Sequence, residues 1–321
     1  MSTQDFRCSY VLLTYNQAST VEEALTSALS QTGRPLEIVV TDDCSTDDTF
    51  SLIRKTVEGY HGPHRIILNR NEKNLGLAGN IGRAHDISSG DIIIAAAGDD
   101  VSLPHRSSRI LDTFIADDPL LVCSYADVIG PNGEKVAGNF RTAAFYQSAD
   151  LKKAARSKSL YLGATGAWHR RIYDKYGPLD PCAYEDLVFG FRAALEEKVA
   201  VIREELVRYR LGRGITSSSG YHISQDGFNE SRKNSFAASN AVMRQRMQDA
   251  KTFGLAQDSP IWQILKKEEA KSSLGLSYYS DTRTQFSRKL LQNPILALYI
   301  CHSESRRRRK SGRPKTGNEE S

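Results

Sequence analysis

Asp99 and Asp100 stand side by side, one glycine after the apolar run Ile92–Ala97. Two neighbouring carboxylates repel and need a cation or solvent to be tolerated together. Hard divalent cations such as Mg2+ or Mn2+ want oxygen ligands, and usually take one or two carboxylates plus substrate phosphates. A cation held there would neutralise a nucleoside diphosphate as it leaves. The same pair could equally be a turn whose aspartate caps the next helix.

Other clusters carry similar choices. "TDDCSTDDT" places four acids in nine residues at a strand-to-helix junction. Asp47 and Asp48 suit a helix N-terminus. Asp42, just past "LEIVVT", is better placed to meet a ligand, and a carboxylate there can accept the imide N–H of uracil or thymine. In "YEDLVFG", Glu185 and Asp186 open a helix. They are either an acid pair favoured by the helix dipole or a general base for an attacking hydroxyl. "NLGLAGNIG" spaces its glycines GxxGxxG, not GxGxxG, and does not follow the first strand. It is therefore a weak dinucleotide signal and fits close approach of backbone to a ligand or to a neighbouring helix. Arg208, Arg210 and Arg213, in "YRLGRG" and just before it, could bind phosphate oxygens or form a solvated edge.

The elements that position these groups alternate. "CSYVLLTYN", "LEIVVT", "HRIILNR", "DIIIAAA" and "LLVCSYADVI" are short apolar runs read as strands. Between them lie helical stretches, the first with Val21, Ala24, Leu25, Ala28 and Leu29 on one stripe. Ser19 with Glu22, or Thr20 with Glu23, fits a capping box at its start, and Ser45 or Thr46 is read as the cap of the second helix. The pattern predicts an α/β fold, a mainly parallel Rossmann-like sheet with helices on both faces. In such sheets ligands sit beyond the carboxyl ends of the strands. Thr14, Tyr15, Asn16, Asp42, Asp43, Asn74, Asp99 and Asp100 all fall there. Further on, "VAVI" and "LVRYRLG" read as two short strands, and about 221–300 reads as helical with breaks at Pro260 and Pro294.

Composition narrows the partners. The 321-residue chain carries a net charge of +5, but seven basic residues and no acid lie between Arg306 and Lys315. The body is nearly neutral, which argues against a nucleic-acid-binding face. Five widely spaced cysteines without a CxxC argue against a disulfide framework or a zinc site and point to a reducing cytoplasm. The first residues do not read as a signal peptide, and no apolar run approaches the roughly 20 residues that span a bilayer.

"YVLLTYNQASTVEEALTSALSQTGRPLEIVVTDDCSTDDTFSLI", "NEKNLGLAGNIGRA", "AAAGDDVSLPHR" and "YEDLVFGFRAAL" follow one another in that order. Together they resemble glycosyltransferase family 2, of GT-A fold. The resemblance covers roughly residues 8–215. It implies a GT-A domain over 1–215, with a nucleotide-binding half at 1–130 and an acceptor half at 131–215. A helical region at 216–302 and a basic, disordered tail at 303–321 complete the expected organisation. It implies that Thr14, Tyr15 and Asn16 contact the nucleotide, that Asp42 meets the base, and that Asn74, Gly76 and Asn80 line the pocket. Asp99 matches the metal-binding carboxylate, with Asp100 beside it. Asp186 matches the catalytic base, supported by Glu185. The implied reaction is inverting transfer from a nucleotide-diphosphate sugar, UDP or dTDP favoured, assisted by Mn2+ or Mg2+. Two positions depart from the family pattern. Ala97 stands where an acid is usual, and "YRLGRGIT" lacks a frequent histidine, leaving Arg213 as a source of charge for the phosphates. These departures also allow a rival reading, a catalytically inactive nucleotide-sugar-binding or scaffold protein.

"QFSRKLLQNPILALYICH" runs into "SESRRRRK". An apolar helical segment beside a polybasic run suits an anionic membrane surface, where lipid-linked glycan acceptors would lie. It also suits a core-packing helix with a solubilising tail.

Overall fold

A computed structural model describes residues 6–136, 142–212 and 224–311. Strands β1 (Cys8–Thr14), β2 (Glu37–Asp42), β3 (Arg65–Arg70) and β4 (Ile92–Ala97) alternate with helices α1 (Val21–Leu29), α2 (Thr49–Glu58) and α3 (Gly76–Ile87). Then come β5 (Val101–Ser102), α4 (Arg106–Asp117), β6 (Leu121–Ile129), α5 (Ala144–Gln147), α6 (Leu151–Arg156), β7 (Ala167–His169), α7 (Arg171–Tyr176), α8 (Glu185–Leu195) and β8 (Val199–Arg210). Four helices follow among the described residues: α9 (Gln225–Phe253), α10 (Pro260–Ser280), α11 (Arg283–Gln292) and α12 (Pro294–Ser311).

One eight-stranded sheet runs β3-β2-β1-β4-β7-β6-β8-β5. Its first four strands are parallel, as the strand–helix alternation predicts. β1 is buried along its whole length, because helices cover both faces of a parallel sheet. Alternate side chains feed two cores: Tyr10 and Leu12 pack with Leu25, Ile38 and Ile110, while Val11 and Leu13 pack with Ile81, Ile93 and Trp168. The other half is mixed. β7 is antiparallel to β4 and β6, β8 is parallel to β6, and β5 is antiparallel to β8. β5 and β7 are two and three residues long, too short to show a period.

Several local expectations change. "VAVI" and "LVRYRLG" belong to one strand, β8, whose register against β6 shifts on either side of Tyr125. These irregularities absorb the polar Arg203–Glu205 segment without ending the pairing. Thr20 precedes α1 without capping it through its side chain. Its hydroxyl donates to the Gly98 carbonyl at 2.9 Å instead, tying the helix start to the Asp99 turn. Neither Ser45 nor Thr46 caps α2. Asp48 holds that position, and Asp47 accepts the Thr49 N–H at 3.0 Å.

The C-terminal helices share the main core, with Val242, Met243, Trp262 and Leu265 buried among the side chains of α8 and the sheet. The expected disordered tail begins as helix. α12 continues to Ser311, because Glu304 is buried and pairs through both oxygens with Arg232 on α9 at 2.8 and 3.0 Å. Residues 312–321 lie outside the described part of the chain.

Candidate active site

Parallel register brings the strand ends level. Thr14 lies beside Asp42 and Asp42 beside Arg70, while Leu13 lies beside Ala97, which places Asp99 just beyond the rim. The loops after β1 and β2 are laced together. Asn16 has φ 51°, a left-handed backbone that asparagine tolerates better than most residues. Its N–H donates to Ser45 Oγ at 2.9 Å, and its Oδ1 accepts the Thr46 N–H at 2.8 Å. Tyr15 is half-buried and Asn16 exposed at this rim, while Thr14 is buried.

Asp42 departs from its expected role. Its side chain is fully buried. The Ser45 N–H donates to it at 2.9 Å and the Thr14 hydroxyl at 3.3 Å. The Ser45 hydroxyl and Arg70, whose Nε lies 3.6 Å away, complete the set. Three hydrogen bonds thus take most of the roughly four lone-pair positions of a carboxylate, and Arg70 adds its charge. Fully buried and so engaged, Asp42 is turned inward from the expected contact with a base imide, and it braces the loop that borders the pocket. Asn80 is likewise internal. Its Oδ1 accepts from Thr41 Oγ1 at 2.7 Å and Asn71 Nδ2 at 3.0 Å, and its Nδ2 donates to the Thr41 carbonyl at 3.2 Å. Instead of lining a pocket, it fastens α3 to β2. Asn74 is exposed and accepts the Gly76 N–H at 2.9 Å. Gly76, at φ 73°, supplies the left-handed turn that opens α3 beside the rim.

The Asp99–Asp100 turn is held by Gln17, which pattern reading missed, and by Arg210. Buried Gln17 donates to Asp99 Oδ1 at 2.9 Å. The Arg210 N–H donates to Asp100 Oδ1 at 2.8 Å. The buried Arg210 guanidinium donates to the Asp99 carbonyl at 2.9 Å and to Glu23 at 2.6 Å, so it acts as a clamp and not as a solvated edge. Burial raises the Asp99 carboxyl above its usual range. Burial, then the charge of Asp99, hold Asp100 well above it. Arg213 lies outside the described residues.

Arg106, at the start of α4, is fully buried. It donates to the Ala95 carbonyl at 2.7 Å and the Ala164 carbonyl at 2.9 Å, joining β4, which leads into the Asp99 turn, to the tight turn Gly163–Thr165. Gly163 in turn lies against Glu185, because a Cβ there would strike the Glu185 carboxylate. A continuous path thus connects the two acid pairs. Asp186 Oδ1 accepts the Leu187 N–H at 2.8 Å. Burial, then the charge of Glu185, push Asp186 up to about 8, against the pull of Arg246. Glu185 is also raised by burial. A carboxylate tuned this way is a competent general base near neutral pH. Arg246 comes from α9. It is fully buried and donates to the Leu187 carbonyl at 3.0 and 3.2 Å and to the Ser157 carbonyl at 3.1 Å.

Among the described residues, no group of three or more His, Cys, Asp or Glu is placed to hold a metal ion. A hard cation that arrives with a diphosphate needs only one or two carboxylates. The buried, mutually repelling Asp99 and Asp100 supply that set, so the donor chemistry fits.

The model for "Glycosyl transferase family 2" matches residues 9–177, more than half of the chain. The chain belongs to glycosyl transferase family 2. It is 27% identical over 218 residues to an uncharacterized glycosyltransferase of Nostoc sp., covering 64% of this chain and 65% of that protein. It is 37% identical over 92 residues to WfaP of Escherichia coli, a UDP-Glc:alpha-D-GlcNAc-diphosphoundecaprenol beta-1,3-glucosyltransferase, covering 29% of this chain and 35% of WfaP. This family 2 chain therefore spans just under two-thirds of the first relative and about one-third of the second. In fold it is similar to the mannosyltransferase PcManGT of Pyrobaculum calidifontis, solved with GDP-Man and Mn2+. The TM-score is 0.53 over 96% of this chain and 85% of that one, at 18% identity. The architecture is GT-A, with an added C-terminal helical region.

Proposed function

We propose that the chain transfers a glycosyl group from a nucleotide-diphosphate sugar to an acceptor hydroxyl, with inversion, in cell-surface polysaccharide or glycolipid assembly. The observation that carries this reading is the linkage, through one turn, of the half-exposed Glu185–Asp186 pair on α8 to the buried Asp99–Asp100 pair at the sheet rim, with the Asp186 carboxyl raised above its usual range. The acceptor O–H gives its proton to Asp186. The acceptor oxygen bonds to the anomeric carbon, and the bond from that carbon to the diphosphate breaks with its electron pair on the departing nucleotide. Glu185 keeps Asp186 basic through its own charge. Asp99, with Asp100 beside it, would hold Mn2+ or Mg2+, and such a cation when bound neutralises the diphosphate. Tyr15, Asn16, Asn74 and Gly76 border the nucleotide, with Thr14, Asp42 and Asn80 holding those borders in place. Arg213 supplies charge to the phosphates.

The name of WfaP, with a UDP-Glc donor and a diphosphoundecaprenol-linked acceptor, supports a glycan or lipid-linked acceptor, and such an acceptor would bring the chain to the inner face of a membrane. UDP and dTDP donors rested on Asp42, and its inward turn leaves the base to other groups. Replacing Asp186 by Asn tests the reading: nucleotide release driven by acceptor should fall by roughly 100-fold or more while donor affinity holds. Wild-type protein that binds donor and never turns over would favour the inactive binding role that Ala97 suggests.

A further inference from the structure

One surface remote in sequence from the acid pairs has an unusual make-up. α12 turns Ala297, Ile300 and Glu304 inward. Its other side leaves Ile295, Leu298 and Tyr299 exposed at 84, 66 and 56%, and Leu291 at the end of α11 is 83% exposed. Large aliphatic side chains rarely stand this free together on a soluble surface. Cations surround them. Lys266, Lys267 and Lys271 on α10 line an open groove together with Ile295, Leu296 and Tyr299, and the Lys271 ammonium lies 5.9 Å from the Tyr299 ring centre. Further along α12, Arg306, Arg307 and Arg308 are exposed. Residues 260–311 hold eleven Lys and Arg against four Asp and Glu, so this end carries the positive charge and the remainder of the chain is net negative.

We infer that the α10–α12 face docks on an anionic lipid bilayer, with Leu291, Ile295 and Leu298 entering the acyl boundary and the lysines and arginines meeting the headgroups. An apolar ridge ringed by cations matches an interface with an apolar interior and an anionic rim. Tyr299 suits the headgroup level, where amphipathic rings settle. No helix among the described residues is long and apolar enough to cross a membrane, so the face lies on the bilayer. A second copy of the chain fits less well, since a two-fold contact would bring this cationic face against itself. Nucleic acid would leave the aliphatic ridge without a partner. The inference is independent of the transfer chemistry.

The test is sedimentation of the full chain with phosphatidylcholine vesicles, with and without about one-third phosphatidylglycerol. Wild type should bind the anionic vesicles at least roughly tenfold more tightly than the neutral ones, and less so as salt rises. Ile295→Ser with Leu298→Ser should lose roughly tenfold or more. Lys266→Gln with Lys267→Gln should lose a similar factor and guards against a failure of the first variant to fold. Unchanged melting temperature and nucleotide binding would keep each loss local to this face. Equal binding of wild type and both variants would overturn the inference. So would self-association of wild type, abolished by Ile295→Ser with Leu298→Ser, in protein that ignores vesicles.

Discussion

Asp186 and Asp42 are both strand- or helix-end carboxylates, and their surroundings give them different work. Asp186 is raised to about 8, so its ionised form gains on the acid as pH rises. Activity limited by this base should climb through about pH 8 and level off above it, and a kcat/KM profile of wild type checks this. The same shift opposes folding. The folded state holds the Asp186 proton above pH 4 where the unfolded chain has lost it, so stability falls as pH rises from about 4 toward 8. Asp186→Asn removes that titration and should melt higher than wild type at pH 8, with the gap closing toward pH 4. Asp42 is turned inward, with most of its lone pairs taken by Thr14 and Ser45 and the charge of Arg70 beside it. Asp42→Asn should therefore weaken UDP, dTDP and GDP by similar factors, read by titration calorimetry, where a direct imide contact would single out the uracil and thymine nucleotides. Asp42 and Asp99 stood out in the sequence because a carboxylate after an apolar run is a local signal, and Asp186 because it opens an amphipathic helix. The direction of Asp42 was not, because Thr14 and Arg70 reach it from other strands. Gln17 and Arg106 gave no signal for the same reason, and Arg210 stood out only as a phosphate or edge candidate, not as the clamp on the Asp99 turn.

Helices and strands explain how a base on α8 is held. α9 docks behind it through the Arg192–Asp249 pair at 2.8 Å, both side chains fully buried. Burial keeps the Asp249 carboxyl above its usual range even beside Arg192. Desolvation outweighs the pairing, and the pair fixes the docking geometry more than it stabilises the fold. One turn earlier, Arg246 gathers carbonyls from α8 and from the segment after α6 while its charge favours ionised Asp186. Arg246→Met should cost roughly 2–4 kcal/mol in denaturant unfolding, from carbonyls left without donors. It should also move the pH limb of activity upward, which a packing defect alone would not do. The parallel strands β1 to β4 were legible as short apolar runs alternating with helical stretches. β7 is too short to carry a period, and the single strand β8 was hidden by its irregular register against β6.

Across the whole molecule, the family 2 match ends at residue 177, but the core does not. Val242, Met243, Trp262 and Leu265 complete the cluster that buries Phe189 and Phe191 of α8. A chain cut after residue 215 would expose that cluster, so it should be insoluble or lack a cooperative melt, whereas a cut after Ser311 should melt like the full chain. Sequence reading separated these regions because the family resemblance ends near residue 215, and surface composition says little about which helix faces meet in a core.

The account depends most on Asp99 standing where a diphosphate and its cation bind. Titration calorimetry of UDP, dTDP and GDP, each with Mn2+, Mg2+ or EDTA, on wild type and Asp99→Ala tests this directly. The account predicts that at least one nucleotide binds wild type in the presence of metal and that EDTA or Asp99→Ala abolishes the binding. No binding of any of the three up to about millimolar concentration, or binding that ignores both metal and the substitution, would contradict it.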